Sequence, residues 1–338
     1  MPLILVGIDE AGYGPILGPL CVASVALRLE HWDAKEAPDL WRVLASGVSR
    51  QGGRGGRPDA RGRVAIADSK RLKLANSVST THPLVHLERG VLAAARCLAG
   101  VLPVDDAALL GVLGTSFPAH RCYAGDAFAL PLAHRPDAID IAASMLDRAL
   151  GEAGATFLAL RCRMLGEAQY NALIRASGNK AETTGAALVE HVRHAWSLLA
   201  SAPSGTRLGI ACDRQGGRMS YAPILDRALP GATITVLEQT EVRSRYVLER
   251  DGLRAGIAFV VEGERDHLPV ALASMIAKYT RELAMLRFNR HWSGVSRGAI
   301  GEDGVRPTAG YAQDARRWLD EMRGFLAGED RDALVRIA

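Results

Sequence analysis

Residues 3–29 constrain the fold of this chain more than any other stretch. Residues 3–8, LILVGI, are an unbroken apolar run, the pattern of a strand buried on both faces. Asp9 and Glu10 end the run at once, and Gly12, Gly14 and Pro15 mark a turn. Residues 21–29, CVASVALRL, are rich in Val, Ala and Leu and pair naturally with the first run as a hairpin. A strand buried on both faces needs other layers to cover it. Hydrophobic residues make up 48% of the 338 residues, enough for a real core in one large domain or two modest ones.

The rest of the chain alternates. Residues 49–63, SRQGGRGGRPDARGR, have almost no apolar content and read as a loop outside the core, either a solvated linker or a basic arm for nucleic acid. Residues 83–101 have helical apolar spacing. Residues 103–140 are broken by Gly, Pro and His, so 103–150 is treated as an insertion of undetermined structure. Residues 156–164 read as a strand, and 167–199 as one or two helices broken near Gly178-Asn179. Further strands are expected at 207–212, 232–237, 244–249 and 257–261, and helices at 268–288 and 312–326. Strands followed by alternating strands and helices predict an α/β fold with a mixed sheet flanked by helices. The expected division is a catalytic domain over 1–290 and a helical extension over 291–338 packed on it.

Charge and cysteines narrow the partners. A net charge of +4 permits a phosphate-rich partner without requiring one. Five scattered cysteines with no C-x-x-C pair argue against a zinc site or a disulfide framework, and for buried thiols in a reducing compartment. The short apolar start lacks the shape of a signal peptide, and no apolar run reaches about 18 residues. A cytoplasmic monomer with no membrane partner is expected.

Three acids share one local context. Asp9 follows LILVGI, Asp213 follows LGIAC, and Glu264 follows IAFVVEG. Acids at strand ends are often turn or cap residues. They can also gather at one sheet edge, where clustered carboxylates near neutral pH need a cation to stay ionised together. Hard ions such as Mg²⁺ take oxygen ligands of this kind, and two of them about 3.5–4 Å apart can clamp both oxygens of a phosphodiester displacement.

Four motifs extend this reading. GIDEAGYGPILGP at 7–19, ADSKRL at 67–72, ERDHLPVALASMIAKYTRE at 264–282 and AGYAQDARRWL at 309–319 stand in the order found in type 2 ribonucleases H, the ribonuclease HII and HIII family, which the chain resembles. The resemblance spans residues 3–29, 67–72, 155–213 and 256–320. It implies a ribonuclease H-like mixed sheet with an inserted region and a C-terminal helical extension. It also implies an endonuclease that cuts the RNA strand of RNA–DNA hybrids with two Mg²⁺ or Mn²⁺ ions, leaving 5′-phosphate and 3′-hydroxyl ends. Asp9, Glu10, Asp213 and Glu264 are then the metal-binding and catalytic acids, with Asp266 as the alternative to Glu264. Gly12, Tyr13, Gly14, Ser69, Lys70, Lys278 and Tyr311 are the implied substrate contacts.

Some features depart from the pattern. Successive strand residues face opposite ways, so Glu10 joins Asp9 only if the strand twists or ends there. Glu264 and EAQYNALI at 167–174 resemble the HIII branch, although the extra N-terminal domain usual there is not expected here. Tyr13 stands where the HII branch has Arg, which leaves single ribonucleotides in DNA, or structured DNA, as rival substrates. Loss of catalysis with nucleic-acid binding retained is a third reading.

The smaller signals stay two-sided. Ser69 and Lys70 contact phosphate, or cap a helix and face solvent. Lys278 and Arg281 flank nucleic acid, or only keep the surface soluble. Tyr311 stacks on a sugar or base, or packs half-buried. Gly216-Gly217 with Arg214 and Arg218 cradle a phosphate, or form a tight turn. His267 starts a helix.

Overall fold

The unbroken apolar run becomes strand β1 (Leu3–Ala11), and β2 (Leu20–Leu29) returns beside it antiparallel, from Leu3 opposite Leu29 to Ala11 opposite Cys21. The structure is a computed structural model that describes residues 1–32, 37–53, 57, 59–75, 80–215, 218–326 and 331–337. There follow α1 (Leu40–Val43), the short parallel pair β3 (Val48–Ser49) and β4 (Val64–Ala65), α2 (Ser69–Leu72), α3 (Val85–Ala99), α4 (Asp106–Val112) and α5 (Pro136–Glu152). Next come β5 (Ala155–Leu165), α6 (Glu167–Ser177), α7 (Ala181–Ala200), β6 (Arg207–Asp213), α8 (Ala222–Ala228), β7 (Thr233–Gln239), β8 (Arg243–Arg250) and β9 (Leu253–Val260). A 3-10 turn at Gly263–Arg265 leads into α9 (Leu268–Ser296), and α10 (Ala312–Glu321) and α11 (Arg331–Leu334) close the described chain.

The main sheet has the order β5-β2-β1-β6-β9-β8-β7. β1, β6 and β9 run parallel at its centre, and the outer pairs are antiparallel. This is the mixed sheet flanked by helices that the sequence predicts. Alternation along β2 divides the core in two. Cys21, Ala23, Val25 and Leu27 face α3, α5 and α9, while Val22 and Ala26 join Ile4, Val6 and Ile8 of β1 under α7 and α8. Each buried Val, Leu or Ile among them contributes about 1.5–3 kcal/mol by leaving water. Gly7 lets α9 lie directly on β1, because a Cβ there would sit 2.1 Å from the Pro269 carbonyl carbon and the Val270 nitrogen.

Several boundaries differ from expectation. The helix expected over 268–288 runs on through residue 290 to Ser296, and the last long helix stops at Glu321. The 103–150 insertion is folded. Asp105 caps α4, and Ile139, Ala142, Ala143 and Leu146 of α5 are buried in the core. Two polar anchors fasten this region from within. Asp106 pairs with Arg287 through two bonds of 2.7 Å, and Glu88 accepts from the Leu132 and Ala133 amides and the Tyr279 hydroxyl. The Gly/Arg loop is tied down at both ends. The Arg50 guanidinium lies 3.6 Å over the Trp41 ring and donates to the Arg265 carbonyl, and the Arg89 guanidinium of α3 donates to the Gly62 carbonyl at 2.8 Å. Arg54 and Pro58 lie outside the described residues. No helix among the described residues is long and apolar enough to cross a membrane.

Candidate active site

Parallel strands end on the same edge of a sheet, and that places the acids. The ladder between β1 and β6 runs to Ile8 opposite Cys212, so Asp9 and Asp213 are the next residues of neighbouring strands. β9 ends at Val260, and a left-handed residue, Glu262 at φ 55°, turns the chain back so that Glu264 reaches the same edge. β1 itself does not end at Asp9, since its pairing with β2 continues to Ala11. Only its β6 partner ends, and beyond that point Asp9 and Glu10 both open onto one space.

That space is a cleft of about 280 Å³. It is lined by Asp9, Glu10, Asp213 and Glu264, by Gly12, Tyr13 and Gly14, by Ser69 and Lys70 from α2, by Lys278 from α9, and by Tyr311. The structure therefore brings the four acids and the seven implied substrate contacts together in one cleft. Asp266 is exposed and lines a different groove.

The electrostatics are those of crowded acids. Burial, then the charges of Glu10 and Asp213, raise the Asp9 pKa. Burial and Asp213 push Glu10 up to about 8, with Lys70 acting in the other direction. Asp213 and Glu264 are also raised, chiefly by burial. The Glu10 amide donates to Asp9 Oδ1 at 2.6 Å and the Gly263 amide to Asp213 Oδ1 at 3.0 Å. Glu10 Oε2 and Glu264 Oε2 are buried without a hydrogen-bond partner. Among the described residues no group of three or more His, Cys, Asp or Glu side chains could hold a metal ion as they are placed. An all-oxygen donor set with two unpartnered buried oxygens fits a hard divalent cation, which would relieve the repulsion that holds these carboxyls toward their neutral forms.

The chain is similar to solved ribonucleases HII and HIII. Ribonuclease HII of Archaeoglobus fulgidus, solved in a complex with PCNA, is 17% identical, over 99% of this chain and 94% of that one, with a TM-score of 0.40. Ribonuclease H2 of Pyrococcus horikoshii OT3 is 13% identical over 98% and 92%, also at 0.40. Bst-RNase HIII, solved with Mn²⁺, is 14% identical over 99% of this chain and 66% of its own, again at 0.40. No protein-family model matches the chain, and no curated protein matches it.

The two-sided signals divide. Ser69 does not cap α2. Asp68 does, accepting from the Lys70 amide at 2.9 Å, while the buried Ser69 hydroxyl shares a 3.0 Å hydrogen bond with Ser274. Lys70 is exposed, and Lys278 is half-buried and paired with Glu282 at 2.8 Å. Arg281 is 1% exposed and donates to the Leu17 and Ala309 carbonyls, so the surface role proposed for it is wrong. Tyr311 is 48% exposed at the cleft, with the Arg281 guanidinium 5.7 Å from its ring. The Arg214 guanidinium bonds the Arg218 and Thr240 carbonyls, and the cradle at Gly216-Gly217 lies outside the described residues. His267 starts α9 as expected.

Three neighbours of the acids escaped the sequence reading. Asp68 and Ser274 line the cleft, and Gln215 is buried beside Tyr221 with both amide atoms unpartnered. Asp68 and Ser274 stand inside motifs quoted above, and Gln215 lies between Arg214 and Gly216 of the loop singled out after Asp213, so a signal existed for each.

Proposed function

We propose that this cleft hydrolyses phosphodiester bonds in the RNA strand of an RNA–DNA hybrid. The observation that carries the reading is the meeting of Asp9, Glu10, Asp213 and Glu264 with Ser69, Lys70, the Gly12–Gly14 turn and Tyr311 in one cleft at the carboxyl ends of parallel strands. Ligand sites of open α/β sheets lie at such ends. Asp9, Glu10, Asp213 and Glu264 would hold two divalent cations, Mg²⁺ or Mn²⁺, which when bound lower the pKa of water and stabilise the leaving oxygen. The chain's own groups do the rest. Lys70, exposed at the mouth, balances the acids and attracts the phosphate backbone. The Gly12–Gly14 turn lets main chain approach the sugar–phosphate, since a Cβ at Gly14 would meet open space. Tyr311 offers an exposed ring for stacking. The bond formed joins water oxygen to phosphorus, the bond broken frees a 3′-oxygen, and the products carry 5′-phosphate and 3′-hydroxyl ends.

The test is a panel of labelled duplexes, comprising continuous hybrid, DNA with one ribonucleotide, and branched DNA, incubated with Mg²⁺ or Mn²⁺. Cleavage of the hybrid in the RNA strand is expected. Asp9→Asn and Asp213→Asn should abolish it while each protein stays folded. Binding of duplexes without cleavage by the wild type would instead favour a protein that binds nucleic acid and has lost catalysis.

A further inference from the structure

The EAQYN residues of α6 face the back of the glycine turn rather than the carboxylates. Buried Glu167 accepts from the Gly18 amide at 2.9 Å and from the Tyr123 hydroxyl at 2.5 Å. Buried Asn171 holds the segment after residue 330. It donates to the Asp332 and Val335 carbonyls at 3.1 and 2.8 Å and accepts from the Ile337 amide at 2.7 Å. The Tyr170 ring lies 4.7 Å from the Arg336 guanidinium. All three residues serve one outcome. They bring Arg336, 3% exposed, behind the turn that lines the cleft.

There Arg336 takes the turn's carbonyls. Its amide donates to Ile16 at 2.9 Å, and its guanidinium donates to Gly12 at 2.5 Å and to Gly18 at 2.7 Å. Gly12 and Gly18 both have positive φ, +91° and +83°, so this backbone is held in a conformation few other residues would keep. Arg281 completes the hold through Leu17. Burying two guanidiniums side by side is unfavourable unless their donors are used; Arg336 directs its donors to Gly12 and Gly18, while Arg281 divides its own between Leu17 and Ala309 and leaves its Nε unpartnered. The peptide bond is planar and trans, so the Tyr13 N–H points opposite to the Gly12 carbonyl. With that carbonyl fixed on the buried side, the N–H faces the cleft.

We infer that Arg336 is a positioning residue for substrate. It fixes the Gly12–Tyr13 peptide so that its N–H meets a phosphate or sugar oxygen of the RNA strand. The inference rests on the nuclease reading above, and the experiment keeps the two apart. Full-length wild type, Arg336→Gln, Arg336→Lys and Asn171→Ala are compared. The Asn171 variant unties the segment without touching the turn. Hydrogen exchange of a peptide covering residues 12–18 is read alongside KM and kcat on continuous hybrid, and alongside hybrid binding in chelator.

Arg336→Gln should speed exchange in that peptide and leave the β5 peptides unchanged. It should raise KM and the hybrid Kd about tenfold, the scale of one lost charge-assisted hydrogen bond, with a smaller change in kcat. Lys should recover part of the loss, and Asn171→Ala should mimic it even if the Arg336 variants fold poorly. Unchanged exchange at 12–18 and unchanged KM in a folded Arg336→Gln protein, or in Asn171→Ala, would overturn the inference. A wild type that neither binds nor cleaves any duplex sinks the nuclease reading, and the exchange measurement still decides whether Arg336 holds the turn.

Discussion

Glu264 and Asp266 are two residues apart, yet only Glu264 lines the cleft. Glu264→Gln should therefore cut the cleavage rate by about 100-fold or more, because even an outer-shell partner of a metal ligand is typically worth about 10–100-fold. Asp266→Asn should leave the rate near wild type. Steady-state rates at fixed metal concentration check this, and a reversed ranking would move the ligand to Asp266. A second residue sets an acid limit on the fold. His191 is buried, with its ring bonded to the Ser24 hydroxyl at 2.8 Å and the Val22 carbonyl at 3.1 Å, and burial pushes its pKa down to about 4. Unfolded histidine titrates near 6.5. Between these values the unfolded chain binds the extra proton, so stability is full above about pH 6.5 and falls as the pH drops toward 4, by on the order of 3 kcal/mol. Urea unfolding across that window should show the fall in wild type and a flatter profile in His191→Gln. An equally steep profile in the variant would assign the transition to another group.

At the scale of elements, the contact between β1 and α9 decides whether the site is assembled. α9 carries Ser274 and Lys278 over the strand ends, and it can approach only because residue 7 has no side chain. Gly7→Ala would place a carbon 2.1 Å from helix backbone, which cannot rotate away as a flexible side chain could. Overpacking of this kind costs about 1–3 kcal/mol and at times more. The variant should melt well below the wild type and lose activity even where it is still folded, as followed by circular dichroism and cleavage at one temperature. Melting together with the wild type would mean that α9 shifts without harm. Elements also explain what the sequence hid. α5 escaped notice because the Gly, Pro and His punctuation of 103–140 runs up to its start, although Ile139, Ala142, Ala143, Leu146, Ala149 and Leu150 form a buried stripe along it. Its neighbour α4 is fastened by an ion pair between residues 181 apart in sequence.

At the scale of the molecule, Tyr13 tests what the cleft reads. It is half-buried, its hydroxyl kept protonated by burial and the nearby Glu10, and Lys180 lies 5.2 Å over its ring. An uncharged hydroxyl can hydrogen-bond to a sugar but cannot pair ionically with a phosphate. Cleavage of continuous hybrid should therefore exceed cleavage at a lone ribonucleotide in DNA, and Tyr13→Arg should shift the ratio toward the lone ribonucleotide. Rates on both substrates at one salt concentration measure it, and a ratio untouched by the substitution would free Tyr13 from any role in specificity. The central strands, the helix after Glu264, the four acids and the glycine turn were legible in the sequence, because apolar runs, turn residues and short motifs act locally. The left-handed turn at Glu262 that carries Glu264, the acid the motif preferred to Asp266, into the cleft was not. Nor were the tasks of Arg281 and Arg336, whose carbonyl partners lie 264 and 318 residues away. The sequence by itself determined which side chains could do chemistry and which strands would carry them. Only the tertiary structure decided what holds the glycine turn behind them, because a buried guanidinium finds its acceptors through the packing of the whole chain.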